Sequence, residues 1–335
     1  LKPFWPKGSA CAFRKHFHSR FRLWAAAAMP RSAPSLQRVP CRGDNGVTAL
    51  WDWPAAGEPE KTIVLVHATG FHSRCWDEVI RHLPDSFRCV CLDLPGHGHS
   101  DPPSDSTWRA AAARLWAALE DAGSPLRQAS LLVGHSMGGH VSALLAAAEP
   151  VPNMLLIDPV ILPKERYEQA DTEASRKRTE MMRNLALQRK AAFSSADEMF
   201  DRFKDRRPFA DWHPHVLRDF CDYGLGNPGP DGKLPLLCTP TVEADCYSNG
   251  HAGSADPSPE LQVLSERQQR VTIIRPPPDP QNRPFTSVVD PALATRLGGP
   301  VKDVLMEGAS HFIPMTDPGL VASHIERLAR MSSRL

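Results

Sequence analysis

The 335-residue chain carries one pentapeptide whose residue types and spacing suit covalent chemistry, Gly134-His135-Ser136-Met137-Gly138. An aliphatic run, Leu131-Leu132-Val133, precedes it, and an alanine-rich stretch, residues 139–148, follows. This pattern predicts a strand, a sharp turn and a helix. Two glycines permit the cramped backbone and close packing that such a turn needs, and the turn lifts the Ser136 hydroxyl above the sheet edge at a helix start. At its own pKa a serine hydroxyl is a weak nucleophile, so attack on a carbonyl requires a base within hydrogen-bond reach and a third group to orient that base. Met137, first in the helix, can offer its backbone N–H to the oxyanion such an attack creates.

Elements able to hold this turn are legible on both sides of it. Residues 62–66, Thr62-Ile63-Val64-Leu65-Val66, form a continuous apolar run of the kind buried in a parallel sheet. Further strands are expected at 47–53, 87–92, 128–133, 154–157, 271–274 and 301–306, with helices at 75–83, 108–119 and 320–330. The strand at 62–66 runs into His67-Ala68-Thr69-Gly70-Phe71-His72, where a small residue and a glycine let backbone N–H groups approach a ligand. The strand at 87–92 runs into Asp93-Leu94-Pro95-Gly96-His97-Gly98-His99-Ser100. That loop lacks the Lys-Ser/Thr of a phosphate loop and the spacing of a dinucleotide fingerprint, so it reads as a structural turn, with His97 and His99 as solvated loop histidines.

Between 164 and 223 the sequence becomes rich in charge, with helical stretches at 164–192, 196–204 and 214–223, then loop composition at 224–240 and 250–259. A block of this kind between two sheet strands predicts an insertion over the sheet's carboxyl edge, residues 161–262, with Met181, Met182, Leu185 and Phe193 in its interior and its charges solvated.

Composition bounds the function. Of 39 basic residues, nine lie in residues 1–43, which hold no acid, leaving 30 bases against 38 acids in the rest. A mildly acidic body has no electrostatic footprint for nucleic acid. Nothing approaches a run of 18 apolar residues, so no transmembrane segment is expected. The eight cysteines show neither C-x-x-C pairs nor metal-ligand spacing, which predicts free thiols and no metal. Residues 1–43 read as a basic N-terminal extension, either a presequence or sequence ahead of a start at Met29.

The ordered set His67-Ala68-Thr69-Gly70-Phe71, Asp93-x-x-Gly96-x-Gly98-x-Ser100 and Gly134-x-Ser136-x-Gly138 resembles the α/β-hydrolase fold family across residues 47–330. Within it, the chain is similar to serine hydrolases with a lid, including peroxisomal lipase-like members. The resemblance implies an α/β fold with a mostly parallel sheet flanked by helices, divided into a first core half (44–160), a helical cap insertion (161–262) and a second core half (263–335). It implies that His311, after the last strand in Glu307-Gly308-Ala309-Ser310-His311, is the base. The acid falls between Ser136 and His311: Asp279, just past the strand before the His-bearing one, is expected, with Asp158 the alternative and Asp290 and Asp245 more distant candidates. The second oxyanion N–H, beside that of Met137, is assigned to Thr69. Ala68 departs from the glycine many members carry there, which leaves open which N–H completes the pair.

The activity so implied is hydrolysis of a carboxylic ester, of lipid-like substrates, through an acyl-enzyme intermediate without metal or organic cofactor. Hydrolysis of a carbon–carbon bond in a diketone, or a non-catalytic ligand-binding role, stays open. Epoxide hydrolysis and dehalogenation normally use Asp at the elbow, against Ser136. The final Ser333-Arg334-Leu335 is close to the Ser-Lys-Leu peroxisomal signal and predicts recognition by the peroxisomal import receptor, with cytoplasmic or mitochondrial placement as the alternative.

Overall fold

Aliphatic runs with two buried faces assemble into the sheet at the centre of the computed structural model, which describes residues 32–42, 46–278 and 286–331. Its strands are β1 (Ser35–Pro40), β2 (Val47–Trp53), β3 (Lys61–Val66), β4 (Phe87–Leu92), β5 (Leu131–His135), β6 (Met154–Ile157), β9 (Val271–Arg275) and β10 (Val301–Leu305); β7 (Ala192–Phe193) and β8 (Leu234–Pro235) form a separate small ladder. Among the described residues the sheet order is β1-β2-β4-β3-β5-β6-β9-β10. β2 pairs antiparallel with both β1 and β4, and the pairings of β4, β3, β5, β6, β9 and β10 in sequence across the sheet are all parallel.

Successive side chains leave a strand on opposite faces, and the core divides accordingly. Val64, Val66, Leu132, Met154 and Leu156 face one apolar cluster, while Ile63, Leu65, Leu131, Val133, Leu155 and Ile157 face another. The helices are α1 (Asp77–Arg81), α2 (Trp108–Asp121), α3 (Met137–Ala148), α4 (Lys164–Glu168), α5 (Glu173–Leu187), α6 (Ala196–Phe203), α7 (Pro214–Tyr223), α8 (Pro240–Gly250), α9 (Ser258–Glu266), α10 (Leu293–Leu297), α11 (Ile313–Thr316) and α12 (Pro318–Ala329). Helices α2, α3, α9 and α10 cover the first face and α1 and α12 the second. Each fully buried aliphatic side chain contributes about 1.5–3 kcal/mol, so the two faces hold the strand ends in fixed register.

Several expectations need correction. The basic stretch assigned to residues 1–43 includes β1, which pairs with β2 from Ser35↔Asp52 to Pro40↔Val47. Its polar Gln37 and Arg38 suit an edge strand, where one side of the ladder meets solvent, and so gave no apolar signal. The helix expected at 75–83 is a tight turn, Ser73–Trp76, followed by α1. That expected at 164–192 is broken into α4 and α5. The cap segment ends in α9, whose Leu261 and Leu264 join the cluster under α3. Within the cap Phe193 is fully buried, but Met181 and Leu185 are each 56% exposed, because α5 turns them to solvent.

Candidate active site

The sharp turn lies between β5 and α3 and consists of Ser136, at φ 57° and ψ −121°. A residue with a side chain rarely adopts positive φ, and here the packing enforces it. A Cβ on Gly134 would lie 2.3 Å from the Gly138 carbonyl oxygen, and one on Gly138 would lie 2.3 Å from the carbonyl oxygens of Val66 and His67. Glycine at both positions is therefore what lets α3 start against the ends of β3 and β5.

Parallel register supplies the next partner. His135 is paired with Ile157, so the residues that follow these strands, Ser136 and Asp158, lie side by side. The Ser136 N–H donates to the Ile157 carbonyl over 3.0 Å, and the Asp158 N–H to that of Ile274 over 2.8 Å. Asp158 has φ 40°, a region that short polar residues tolerate better than most. Its carboxylate is fully buried and accepts the Ser287 hydroxyl at 2.5 Å.

His311 leaves the loop after β10 and joins the two. Its Nδ1 is 2.6 Å from Asp158 Oδ2 and its Nε2 is 3.0 Å from Ser136 Oγ. This network assigns the ring proton to Nδ1, donating to the carboxylate, and leaves the Nε2 lone pair to the serine hydroxyl. Such an array can draw the proton from Ser136 as it attacks an electrophile. Of the expected residues, Ser136 and His311 thus meet. The carboxylate on His311 is Asp158, the alternative, while Asp279 lies outside the described residues. Asp290 is occupied elsewhere, with Arg296 at 2.8 Å and the Ala292 N–H at 2.8 Å.

The loop expected to donate to an oxyanion is held over the start of α3. Gly70 has φ 81°, the Phe71 N–H closes onto the Ala68 carbonyl at 3.2 Å, and the Thr69 hydroxyl meets Met137 Sδ at 3.3 Å. As the first residue of α3, Met137 has no intrahelical acceptor for its N–H. His67 fixes the loop's base: its Nδ1–H donates to the Ala68 carbonyl at 2.8 Å and its Nε2 accepts the Leu94 N–H at 3.0 Å. Burial, then the neighbouring His97, pushes its pKa well below the ordinary 6.5.

The turn after β4 is built around Asp93, which accepts the Ser73 N–H at 2.7 Å and the His99 N–H at 2.9 Å. A Cβ on Gly98 would lie 2.3 Å from the Asp93 carboxylate. The turn is thus closed on its own side chain, and His97, expected in solvent, is buried with its Nδ1 3.0 Å from the Pro95 carbonyl.

Sequence reasoning missed His135, the residue between glycine and serine. Its Nε2–H donates to the His311 carbonyl at 2.8 Å and its ring stacks on Phe71 at 6.4 Å. Burial, then His311, lowers its pKa to about 3, so it stays neutral and buttresses the loop. Only tertiary contact shows this. Above the site, Phe71 packs edge-on against Trp212 and Phe220 of the cap at 5.5 and 5.7 Å, and against Phe312 at 6.3 Å. Under this apolar cover Ser136 is only 6% exposed.

Residues 63–324 match the model of the Alpha/beta hydrolase family, and the chain belongs to that family. It is 37% identical over 106 residues to the dihydrolipoyllysine-residue acetyltransferase component of the acetoin cleaving system of Cupriavidus necator, covering 31% of this chain and 28% of that protein. It is 35% identical over 102 residues to the lipase LipV of Mycobacterium tuberculosis, covering 30% of this chain and 37% of that protein. The matches thus span little more than a third of the relatives' lengths at most. In three dimensions the chain is similar to the peroxisomal alpha-beta-hydrolase Lpx1 of Saccharomyces cerevisiae, with TM-score 0.64, 16% identity, and 93% of this chain and 90% of that one covered. At that identity the likeness is one of fold.

Proposed function

We propose that this hydrolase cleaves a carboxylic ester with a lipid-like acyl chain through an acyl-enzyme intermediate. The observation that carries the reading is His311 placed between Asp158 and Ser136, at 2.6 and 3.0 Å. In the proposed mechanism Ser136 Oγ attacks the ester carbonyl as His311 Nε2 takes its proton. Asp158 holds the Nδ1 tautomer and stabilises the imidazolium. The N–H groups of Met137 and Thr69 receive the oxyanion, each such donor typically worth about 3 kcal/mol. His311 then protonates the leaving alcohol, activates water, and the acyl group departs as the acid. The aromatic cover of Phe71, Trp212, Phe220 and Phe312 supports an apolar acyl group.

A panel of alkyl esters graded in acyl length tests this reading, run on the wild type and Ser136→Ala. Saturable hydrolysis that favours medium or long chains and vanishes in the variant is expected. Cleavage of a diketone with no ester turnover would transfer the chain to carbon–carbon hydrolysis.

For location we propose the peroxisome, from Ser333-Arg334-Leu335, which lie outside the described residues. Among the described residues no helix is long and apolar enough to cross a membrane. A fluorescent protein fused ahead of Met29 should give puncta that disappear when Leu335 is deleted; diffuse signal in both forms would end this reading.

A further inference from the structure

Away from Ser136, cap helix α7 meets core helix α1 through a cluster that the proposed reaction does not use. Glu78 of α1 is buried, and its Oε2 lies 3.2 Å from His215 Nδ1. Its Oε1 lies 3.9 Å from His213 Nδ1 and 3.5 Å from His82 Nε2. One donor atom each from Glu78, His213 and His215 falls within 4.8 Å of the other two. His213 Nδ1 is itself buried and makes no hydrogen bond among the described residues. A buried ring nitrogen that makes no hydrogen bond among the described residues thus faces a buried carboxylate oxygen, and the two together suit a cation.

The chemistry of these donors selects the cation. Two imidazoles and one carboxylate suit a borderline ion such as zinc, whereas calcium and magnesium prefer oxygen-only shells. We propose that Glu78, His213 and His215 bind a divalent transition-metal ion of the zinc class, with His82 or water at the fourth position. Zinc sits about 2.0–2.2 Å from such nitrogen and oxygen atoms, which puts the corners of its tetrahedron about 3.4 Å apart. Turning His215, whose side chain is 69% exposed, adjusts the separations that involve it, and the 3.9 Å between Glu78 Oε1 and His213 Nδ1 closes by movement of the carboxylate. Arg81 now pairs with the same carboxylate and would yield it, keeping its second partner, Asp219, at 2.8 Å.

An ion here would fasten the cap to the core at a point tied to the His311 loop. The His213 N–H donates to the Met315 carbonyl at 2.8 Å, and the ring of neighbouring Trp212 packs on Phe312 at 5.6 Å. The binding itself does not depend on the proposed ester chemistry. Little in the residue order points to the site, because His213-Pro214-His215 and Glu78 come together only when α7 packs on α1.

The test uses the untagged full-length chain, stripped with a chelator and titrated with zinc by calorimetry. Cobalt(II) serves as a spectroscopic probe, and thermal unfolding is followed in parallel. One ion per chain, d–d absorption of four-coordinate cobalt and a rise in Tm on zinc addition are expected. His215→Ala, a change at an exposed side chain, should weaken binding by more than the roughly 10–100-fold that changes in the outer shell cost, and His213→Gln should do the same. Absence of saturable one-site binding, or binding unchanged in both variants, would overturn the proposal.

Discussion

Asp158 Oδ2 lies 2.6 Å from His311 Nδ1, and this carboxylate is fully buried beside the nucleophile turn. Its removal should leave His311 free to adopt the wrong tautomer. Asp158→Asn is therefore expected to lower kcat by about 10⁴-fold with the fold intact, as loss of the orienting carboxylate does in serine triads. Asp279→Asn should stay within a few-fold of wild type. Steady-state kinetics on one ester for both variants checks the assignment, and the opposite ranking would return the acid to Asp279.

The turn itself is constrained by two backbone carbonyls rather than by flexible groups. Gly138→Ala puts a methyl 2.3 Å from the oxygens of Val66 and His67, so α3 must move off the end of β3. Overpacking of this kind typically costs about 1–3 kcal/mol, and displaced α3 would carry Ser136 and Met137 out of line. Denaturant unfolding and kinetics should show both losses together; an alanine variant with wild-type stability and rate would contradict the described packing.

Acid should destabilise the fold through its buried histidines. Burial foremost lowers the pKa of His135 to about 3 and of His72, His97 and His140 to about 4, from an ordinary 6.5. Between 6.5 and these values the unfolded chain binds protons the folded one refuses. Their contribution is complete above pH 6.5 and is lost as pH falls toward 4, each group by up to about 1.4 kcal/mol per pH unit. Tm should therefore drop steeply from pH 7 to pH 5, and less steeply in His135→Gln. Equal slopes for both proteins would show that His135 is not held neutral.

How much of this was legible in sequence varies with how local the cause is. The turn at Ser136 was readable because the Gly-x-Ser-x-Gly pattern is spelled within five residues, although the carbonyls that require Gly138 belong to Val66 and His67, and the central strands because their buried runs are mostly apolar. His311 was expected from the family resemblance, which puts the base after the last strand. The acid was not fixed that way. Asp158 is beside Ser136 because β6 is the next strand in the sheet and pairs in parallel register, and chain order alone cannot rank that against a carboxylate past β9. Helix α8 was overlooked because Pro240–Gly250 alternates small, polar and apolar residues without a clear stripe; the Thr239 hydroxyl, accepting the Val242 N–H at 3.3 Å, marks its start. The role of His135 depends on the His311 carbonyl, 176 residues away, and on the Phe71 ring stacked against it.

Ser136 is expected to become covalently bonded to the electrophile it attacks. The most direct measurement is intact-protein and peptide mass spectrometry after reaction with a fluorophosphonate. One adduct per chain is expected, mapped to Ser136, absent in Ser136→Ala and formed orders of magnitude more slowly in Asp158→Asn. An unmodified wild type, or an adduct that persists in Ser136→Ala, would contradict it.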